Sequence, residues 1–431
     1  MSEESSSMAK LARVSFCIYL FFVFFGTSLP FQPSMQERAA TGDIGGSNMI
    51  NQLLSLLFVA SFLSLIGKQQ QVFDFIRKEK FLTLFLLWSL LSITWSNYPV
   101  VSLKRWITLF GEAVICLAVM VNVKWSEVAL RYFRVILSIY LPLTILSVIF
   151  VPAAIQWEFP AWRGLAITKN NLGQVALFSV IVCLAIIPYN KGRAVNYWHY
   201  MLLAIAFVSL IGAQSTTNMI VGAFLVMIVV SVYVANMANL GAMSGFFSFT
   251  MIAGFIAVVA IVTIWAPAIT ASILGLAGKD LTFTGRVDLW ATVIRMTESK
   301  IFTGWGLGGF WIMDSRHLIP VFEEFVWIPN QSHQGYIDIL NQTGIVGLGL
   351  LVMMALSYIK NTSKLNKKNV WKWLFFGVLV LNFQESVFFR PRHIGHFVFL
   401  FAYVAFFTDL LKEQKAKKES IFGNRYVIST S

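Results

Sequence analysis

Residues 394–411 read IGHFVFLFAYVAFFTDLL, and residues 412–418 read KEQKAKK. An apolar run near the bilayer-spanning length, closed by a cluster of lysines, is the pattern of a transmembrane helix ending at the cytoplasmic surface. The pattern recurs along the chain. Apolar blocks predict spans at 12–30, 49–67, 81–97, 103–123, 133–151, 172–188, 198–213, 218–235, 246–266, 335–358, 371–389 and 394–411. Composition agrees: 57% of the 431 residues are hydrophobic and only 12% charged, whereas a soluble domain carries about 25% charged residues. The expected fold is an all-α polytopic membrane protein with about twelve transmembrane helices. The block from Ala12 to Pro30 is too long for a signal-peptide core and no small-residue cleavage site follows it, so it reads as a retained first span.

Charge sets the orientation. The net charge of +13 does not point to nucleic acid, because Lys and Arg are scattered through the links between apolar blocks. With the N-terminus in the cytoplasm, the inner segments hold Lys10 and Arg13, the group Lys68 to Lys80, and Lys124, Arg131 and Arg134. They also hold Lys191 and Arg193, the lysines from 360 to 372, and the basic residues from Lys412 to Arg425, which makes roughly 21 of the 33 basic residues. The chain divides into membrane helices 1–9 (1–266), a large extracytoplasmic loop (267–334), membrane helices 10–12 (335–411) and a basic cytoplasmic tail (412–431). Both termini are then cytoplasmic.

Loops this long are usually functional, and this one is rich in tryptophan: Trp290, Trp305, Trp311 and Trp327. Such rings either stack on sugars or anchor at the membrane interface. Within the loop, Gly285–Met296 reads as an amphipathic helix. Val287, Trp290, Val293, Ile294 and Thr297 fall on one side, and Asp288 and Arg295 on the other. Arg286 lies within the apolar arc. A buried guanidinium must be paired, so it is a structural salt bridge, a snorkelling side chain, or an anion site built on its planar fork of donors.

The stretch from Pro329 to Leu340 brings Ser332, a candidate N-cap for the tenth span, and His333 in its first turn. The positive end of the helix disfavours imidazolium there, and a neutral imidazole is either structural or a general base. Arg163 and Lys169 in the 152–171 loop, and Arg390, Arg392 and His393 before the last span, are further candidates. Glu385, one turn inside the eleventh span, needs a cationic partner. The cysteines Cys17, Cys116 and Cys183 all lie in apolar blocks, so no disulfide framework or thiolate metal site is implied. No nucleotide-binding or hydrolase motif is present.

Several of these stretches occur together in a known family. Thr284-Gly285-Arg286, Trp290, the run Gly304-Trp305-Gly306-Leu307-Gly308-Gly309-Phe310-Trp311, the run Ser332-His333-Gln334-Gly335-Tyr336-Ile337-Asp338 and Gly344-Ile345-Val346-Gly347 resemble the O-antigen ligase/polymerase superfamily, most of all its ExoQ-like exopolysaccharide-polymerase branch. Lys169-Asn170-Asn171-Leu172-Gly173, Ser215-Thr216-Thr217 and Glu385-Ser386 match as well, whereas Gln334 stands where many members have Asn. The resemblance implies twelve spans with a large outer loop between the ninth and tenth, in the bacterial inner membrane. It implies glycosyl transfer from an undecaprenyl-diphosphate-linked oligosaccharide to a growing polysaccharide, without metal or cofactor. A flippase and a chain-length regulator are the expected partners, beside membrane lipids. His333 and Arg286 are then the expected catalytic pair. Arg163, Lys169, Arg390, Arg392, Glu385, Trp305 and Tyr336 are the expected diphosphate- or glycan-binding residues. Ligation of finished polymer to lipid A core or protein shares this chemistry. A twelve-span transporter or flippase is the remaining alternative, although its long connector would be expected between spans six and seven.

Overall fold

The computed structural model describes residues 6–25, 48–156, 160–186, 193–215, 218–224, 227, 286–312, 315–325, 329–365 and 371–428. Its helices are α1 (Ser7–Phe25), α2 (Asn48–Leu63), α3 (Gln69–Lys78), α4 (Lys80–Leu91), α5 (Pro99–Asn122) and α6 (Glu127–Phe150). A short hairpin follows, β1 (Ile155–Gln156) against β2 (Ala161–Trp162). Then come α7 (Lys169–Ile186), α8 (Arg193–Gly212), α9 (Arg286–Glu298), α10 (Ile319–Glu324), α11 (Gly335–Thr362), α12 (Trp371–Leu381) and α13 (Ile394–Ile428). Five of these, α1, α5, α6, α11 and α13, are long and apolar enough to cross a membrane, and α2, α4, α7, α8 and α12 are shorter apolar helices. The chain is an integral membrane protein. The expected ninth span and most of the eighth lie outside the described residues, as do Thr216, Thr217, Thr284, Gly285 and Trp327.

The last span is the axis of the bundle. A helix apolar on every side must be enclosed by others, and Phe397, Phe399, Phe401, Tyr403, Phe406 and Phe407 of α13 are all buried. Helices α12 and α5 pack against it. The helix continues through Ile428, across most of the segment expected as a separate basic tail. Between the second and third spans the structure adds α3, which the span pattern does not predict. Its Phe75 is buried while Phe73 and Ile76 are exposed beside Arg77 and Lys78, the build of an interfacial helix.

Two spans differ from expectation for identifiable reasons. The tenth is broken at Gly344, whose backbone has φ 68° and ψ −172°. A helix break strands carbonyls and amides that hydrocarbon cannot satisfy. Here the 301–306 segment supplies partners: Trp305 N donates to Asn341 O (2.9 Å), Gly306 N to Gln342 O (2.9 Å), and Ile345 N to Ile301 O (2.8 Å). Trp88 Nε1 donates to Thr343 O at 2.8 Å. A Cβ at position 344 would lie 2.1 Å from Phe302 O, so only glycine fits. The Gly-rich turn is therefore a joint that docks the 286–334 segment onto the broken helix. Gln342 Oε1 accepts Gly308 N and Arg105 Nη1 donates to Gly308 O, fastening it further.

The eleventh span ends at Leu381 rather than 389. Asn382 donates its side-chain NH2 to Val378 O at 2.7 Å, while its Oδ1 accepts Val387 N (2.9 Å) and Phe388 N (3.0 Å). A side chain that replaces helical partners in this way turns the backbone out of the helix. Glu385 accordingly sits in the turn after α12, not one turn inside it.

Candidate functional site

The 286–334 segment has a small core of its own, Leu289, Val293, Phe310, Leu318 and Val321, with Trp305 and Trp311 packed against it. Helix α9 buries Leu289, Thr292, Val293 and Thr297. Val287 and Ile294, expected on the packed side, are exposed: the buried stripe is rotated toward Leu289 because that face meets this core. Asp288 and Arg295 are exposed as expected. Arg286 lies on the inner face. Its Nη1 donates to Gln384 O at 2.7 Å, and its Nη2 is 4.0 Å from Glu385 Oε1.

His333 stands in the loop before α11 with φ 56°, a conformation no helical residue adopts, so the helix begins only at Gly335. The expected cap is corrected accordingly: Gln334 caps α11, its Oε1 accepting Ile337 N at 2.6 Å. The departure at Gln334 thus has a structural role that an amide side chain supplies. Ser332 is instead clamped from three sides. Its backbone N–H donates to the Asp338 carboxylate (3.2 and 3.4 Å), its carbonyl accepts Trp290 Nε1 (2.8 Å), and its hydroxyl donates to Gln334 O (2.7 Å). Asp338 also accepts Trp311 Nε1 at 2.9 Å. The loop that carries His333 is rigidly held.

The imidazole meets two groups, one from its own loop and one distant in sequence. Its Nδ1 is 3.1 Å from Gln331 Nε2 and 3.9 Å from Glu385 Oε2. Gln331 Oε1 in turn accepts from Arg390 Nη1. A guanidinium has only donors, so the Gln331 oxygen must face Arg390 and its NH2 must face His333. In a neutral His333, Nδ1 is then the acceptor and the proton sits on Nε2. Burial pulls the Arg390 guanidinium below its usual pKa, and the Asp338 and Glu385 carboxylates draw it back up. His393 is held at about 3 by burial first, then by Arg390 and His396, so it is neutral at physiological pH.

Glu385, only 5% exposed, is where the lines meet. Besides Arg286 and His333 it approaches Asn170, whose Nδ2 is 3.4 Å from Oε1. Asn170 at the start of α7 accepts from Ser215 Oγ (3.1 Å), and its carbonyl accepts from Asn218 Nδ2 (3.2 Å). Arg286, His333, Glu385 and Arg390 therefore form one constellation. The remaining candidates have the following places. Arg163 closes its own loop, donating from Nε to Ala153 O and from Nη1 to Ile167 O. Lys169 is the residue beside Asn170 at the start of α7. Arg392 contributes its backbone N–H to Glu112 Oε1 at 2.7 Å. Trp305 is stacked on His317, with ring centroids 4.6 Å apart, and Lys300 Nζ lies 4.2 Å from its ring centre, so it packs instead of presenting an open platform for a sugar. Tyr336 donates to Leu379 O at 2.8 Å and packs on Phe383 and Phe388, tying α11 to α12. Sequence reasoning missed Gln331; a side-chain amide two residues from the candidate histidine was the available signal.

This arrangement on a bundle of apolar helices defines an integral membrane protein whose residues 201–352 match the family described as O-Antigen ligase. That stretch includes Arg286, the Gly-rich joint and His333, but neither Asn170 nor Glu385. Among curated proteins, "Exopolysaccharide production protein ExoQ" of Rhizobium meliloti (strain 1021) is 29% identical over 140 residues, which is 30% of this chain and 32% of that protein. The matching stretch spans about a third of that relative's length. The chain resembles the O-antigen ligase/polymerase superfamily, and within it the ExoQ-like branch.

Proposed function

We propose that the chain is a glycosyltransferase that polymerises undecaprenyl-diphosphate-linked oligosaccharide repeat units into an exopolysaccharide or O-antigen-like polymer, on the outer face of the bacterial inner membrane. The observation that carries this reading is the convergence of His333, Glu385 and Arg286 from three separate segments. The acceptor hydroxyl displaces the Gln331 NH2 from His333 Nδ1, which takes the hydroxyl proton as its oxygen attacks the anomeric carbon, and Glu385 faces the imidazolium that forms. The bond from that carbon to the diphosphate oxygen breaks, and the leaving lipid diphosphate takes the electron pair. Arg286, with Arg390 nearby, stabilises the charge that accumulates there. A diphosphate leaves readily without a strong acid, and a single displacement inverts the anomeric centre.

Deleting the gene and analysing lipid-linked saccharides together with surface polymer tests the reading. Loss of polymer with single repeat units left on the lipid carrier is expected. The family description names a ligase, and a ligase would instead leave long polymer on the lipid carrier; that result would replace polymerisation by ligation.

The twelve-span topology, with 267–334 outside and both termini inside, is part of the same proposal. Reporter fusions after Lys364 and Lys418 are expected to read cytoplasmic, and fusions at 300 and 325 extracytoplasmic. A cytoplasmic signal at 300 would overturn both the orientation and the placing of the reaction.

A further inference from the structure

Glu112 of α5 and His396 of α13 are both fully buried among apolar helices, and the proposed reaction uses neither. Glu112 Oε2 lies 3.0 Å from His396 Nε2. Its Oε1 accepts from the Tyr19 hydroxyl of α1 and, at 2.7 Å, from the backbone N–H of Arg392. Ionisable groups inside a membrane protein are expensive and mark function more often than stability. What Glu112 holds is informative. The turn between α12 and α13 contains two non-glycine residues with positive φ, Phe389 (46°) and Arg392 (65°), a region L-residues rarely occupy. Such a turn persists only where its surroundings over-determine it. Between these two residues stands Arg390, which orients the Gln331 amide that faces His333.

We propose that Glu112, bonded by Tyr19 and lying beside His396, is a positioning residue: through the Arg392 N–H it fixes the 389–392 turn, and through Arg390 and Gln331 it sets the orientation of His333. The proposal rests on His333 being the base, but its geometry can be read without turnover. Reach and charge separate cleanly at this position. Glu112→Gln keeps the oxygen that meets Arg392 and loses the charge, while His396 can accept from the new NH2. Glu112→Asp keeps the charge and withdraws the oxygen by one methylene.

The experiment uses the full chain in membrane vesicles and measures two quantities: the rate of carbethoxylation of His333 by diethyl pyrocarbonate, resolved by peptide mapping, and polymerisation of added lipid-linked repeat units. Protein in the membrane is quantified alongside. Glu112→Asp is expected to raise His333 modification severalfold, because Nδ1 loses its Gln331 partner, and to lower the rate of polymerisation by up to about a hundredfold, as a misplacement near 1 Å does. Glu112→Gln is expected to stay within about twofold of the parent on both measures, as a substitution that preserves the bond should. Arg390→Ala is expected to match Glu112→Asp in His333 reactivity and to lose at least as much polymerisation, since it also removes a cation near the diphosphate. The double variant is expected to be no worse than Arg390→Ala alone, because the two act on His333 along one path. Unchanged His333 reactivity in Glu112→Asp overturns the proposal, as do multiplying losses in the double variant, or a Glu112→Gln that behaves like Arg390→Ala. If His333 reactivity follows the expected pattern while the parent vesicles make no polymer, the positioning geometry stands and the polymerase reading falls.

Discussion

A strain carrying His333→Asn is expected to insert a normal amount of protein and to make no surface polymer. The choice of asparagine follows from the backbone. His333 has φ 56°, a conformation that Asn tolerates better than most residues and that alanine disfavours. His333→Ala removes the imidazole but also strains the loop that Asp338 and Trp290 clamp. The Asn variant keeps the loop and offers no basic nitrogen. Loss of a general base lowers the rate by about 10²–10⁴, enough to extinguish polymer in a growing cell. Unpolymerised lipid-linked repeat units then accumulate on the outer face. A transport defect would trap them on the cytoplasmic face, and a ligation defect would leave long lipid-linked polymer. Membrane-impermeant labelling of the saccharide combined with sizing separates the three. Normal polymer in both the Asn and the Ala strain would exclude His333 as the base.

The parts of this site legible in the sequence are those that depend on local periodicity. Apolar block length located the five long apolar helices among the described residues, and helical phase placed Arg286 on the inner face with Val293, although it misassigned Val287 and Ile294. That error has a physical source: a moment taken over the apolar residues finds the mean hydrophobic direction, whereas the buried stripe is set by what α9 packs against. The break at Gly344 was illegible for a similar reason. A glycine inside an apolar run is tolerated in a continuous helix, and the 301–306 segment, with Trp88, supplies the hydrogen bonds that the break requires. Glu385 was read as an intramembrane carboxylate because nothing local announced that Asn382 would end α12. Its partners His333, Arg286 and Asn170 come from segments distant in sequence, and pairings of that kind are a property of the fold. Glu112 and His396 differ, since an ionisable residue within an apolar block was a visible signal that composition alone invites one to pass over.

Arg286→Lys is expected to lower polymerisation by about 10²–10³, the cost of removing one well-placed donor to a developing anion. The substitution keeps the positive charge, so the effect measures geometry. In the folded protein the guanidinium fork uses Nη1 to bind Gln384 O at 2.7 Å while Nη2 remains 4.0 Å from Glu385. One end of a planar group is thus tethered, and the other lies beside the Glu385 carboxylate that His333 also approaches. A lysine has a single nitrogen at the end of a flexible stem and cannot do both. Arg295→Lys on the same helix is the control. Arg295 is exposed and is bonded locally through Nη2 to Thr292 Oγ1 at 3.2 Å, so the change is expected to stay within about twofold. Both variants are compared in vesicles over a range of lipid-linked donor, with added undecaprenyl diphosphate as a product inhibitor. If Arg286 holds the diphosphate, Arg286→Lys weakens product inhibition as well as slowing polymerisation, because the same fork meets the same group in donor and product. A rate that falls while product inhibition is unchanged would mean that Arg286 serves only to hold the Gln384–Glu385 turn, and the diphosphate would have to be assigned to other cations. Equal tolerance of lysine at 286 and 295 would overturn the assignment altogether, since two arginines on opposite faces of α9 can be equivalent only if neither faces the reaction.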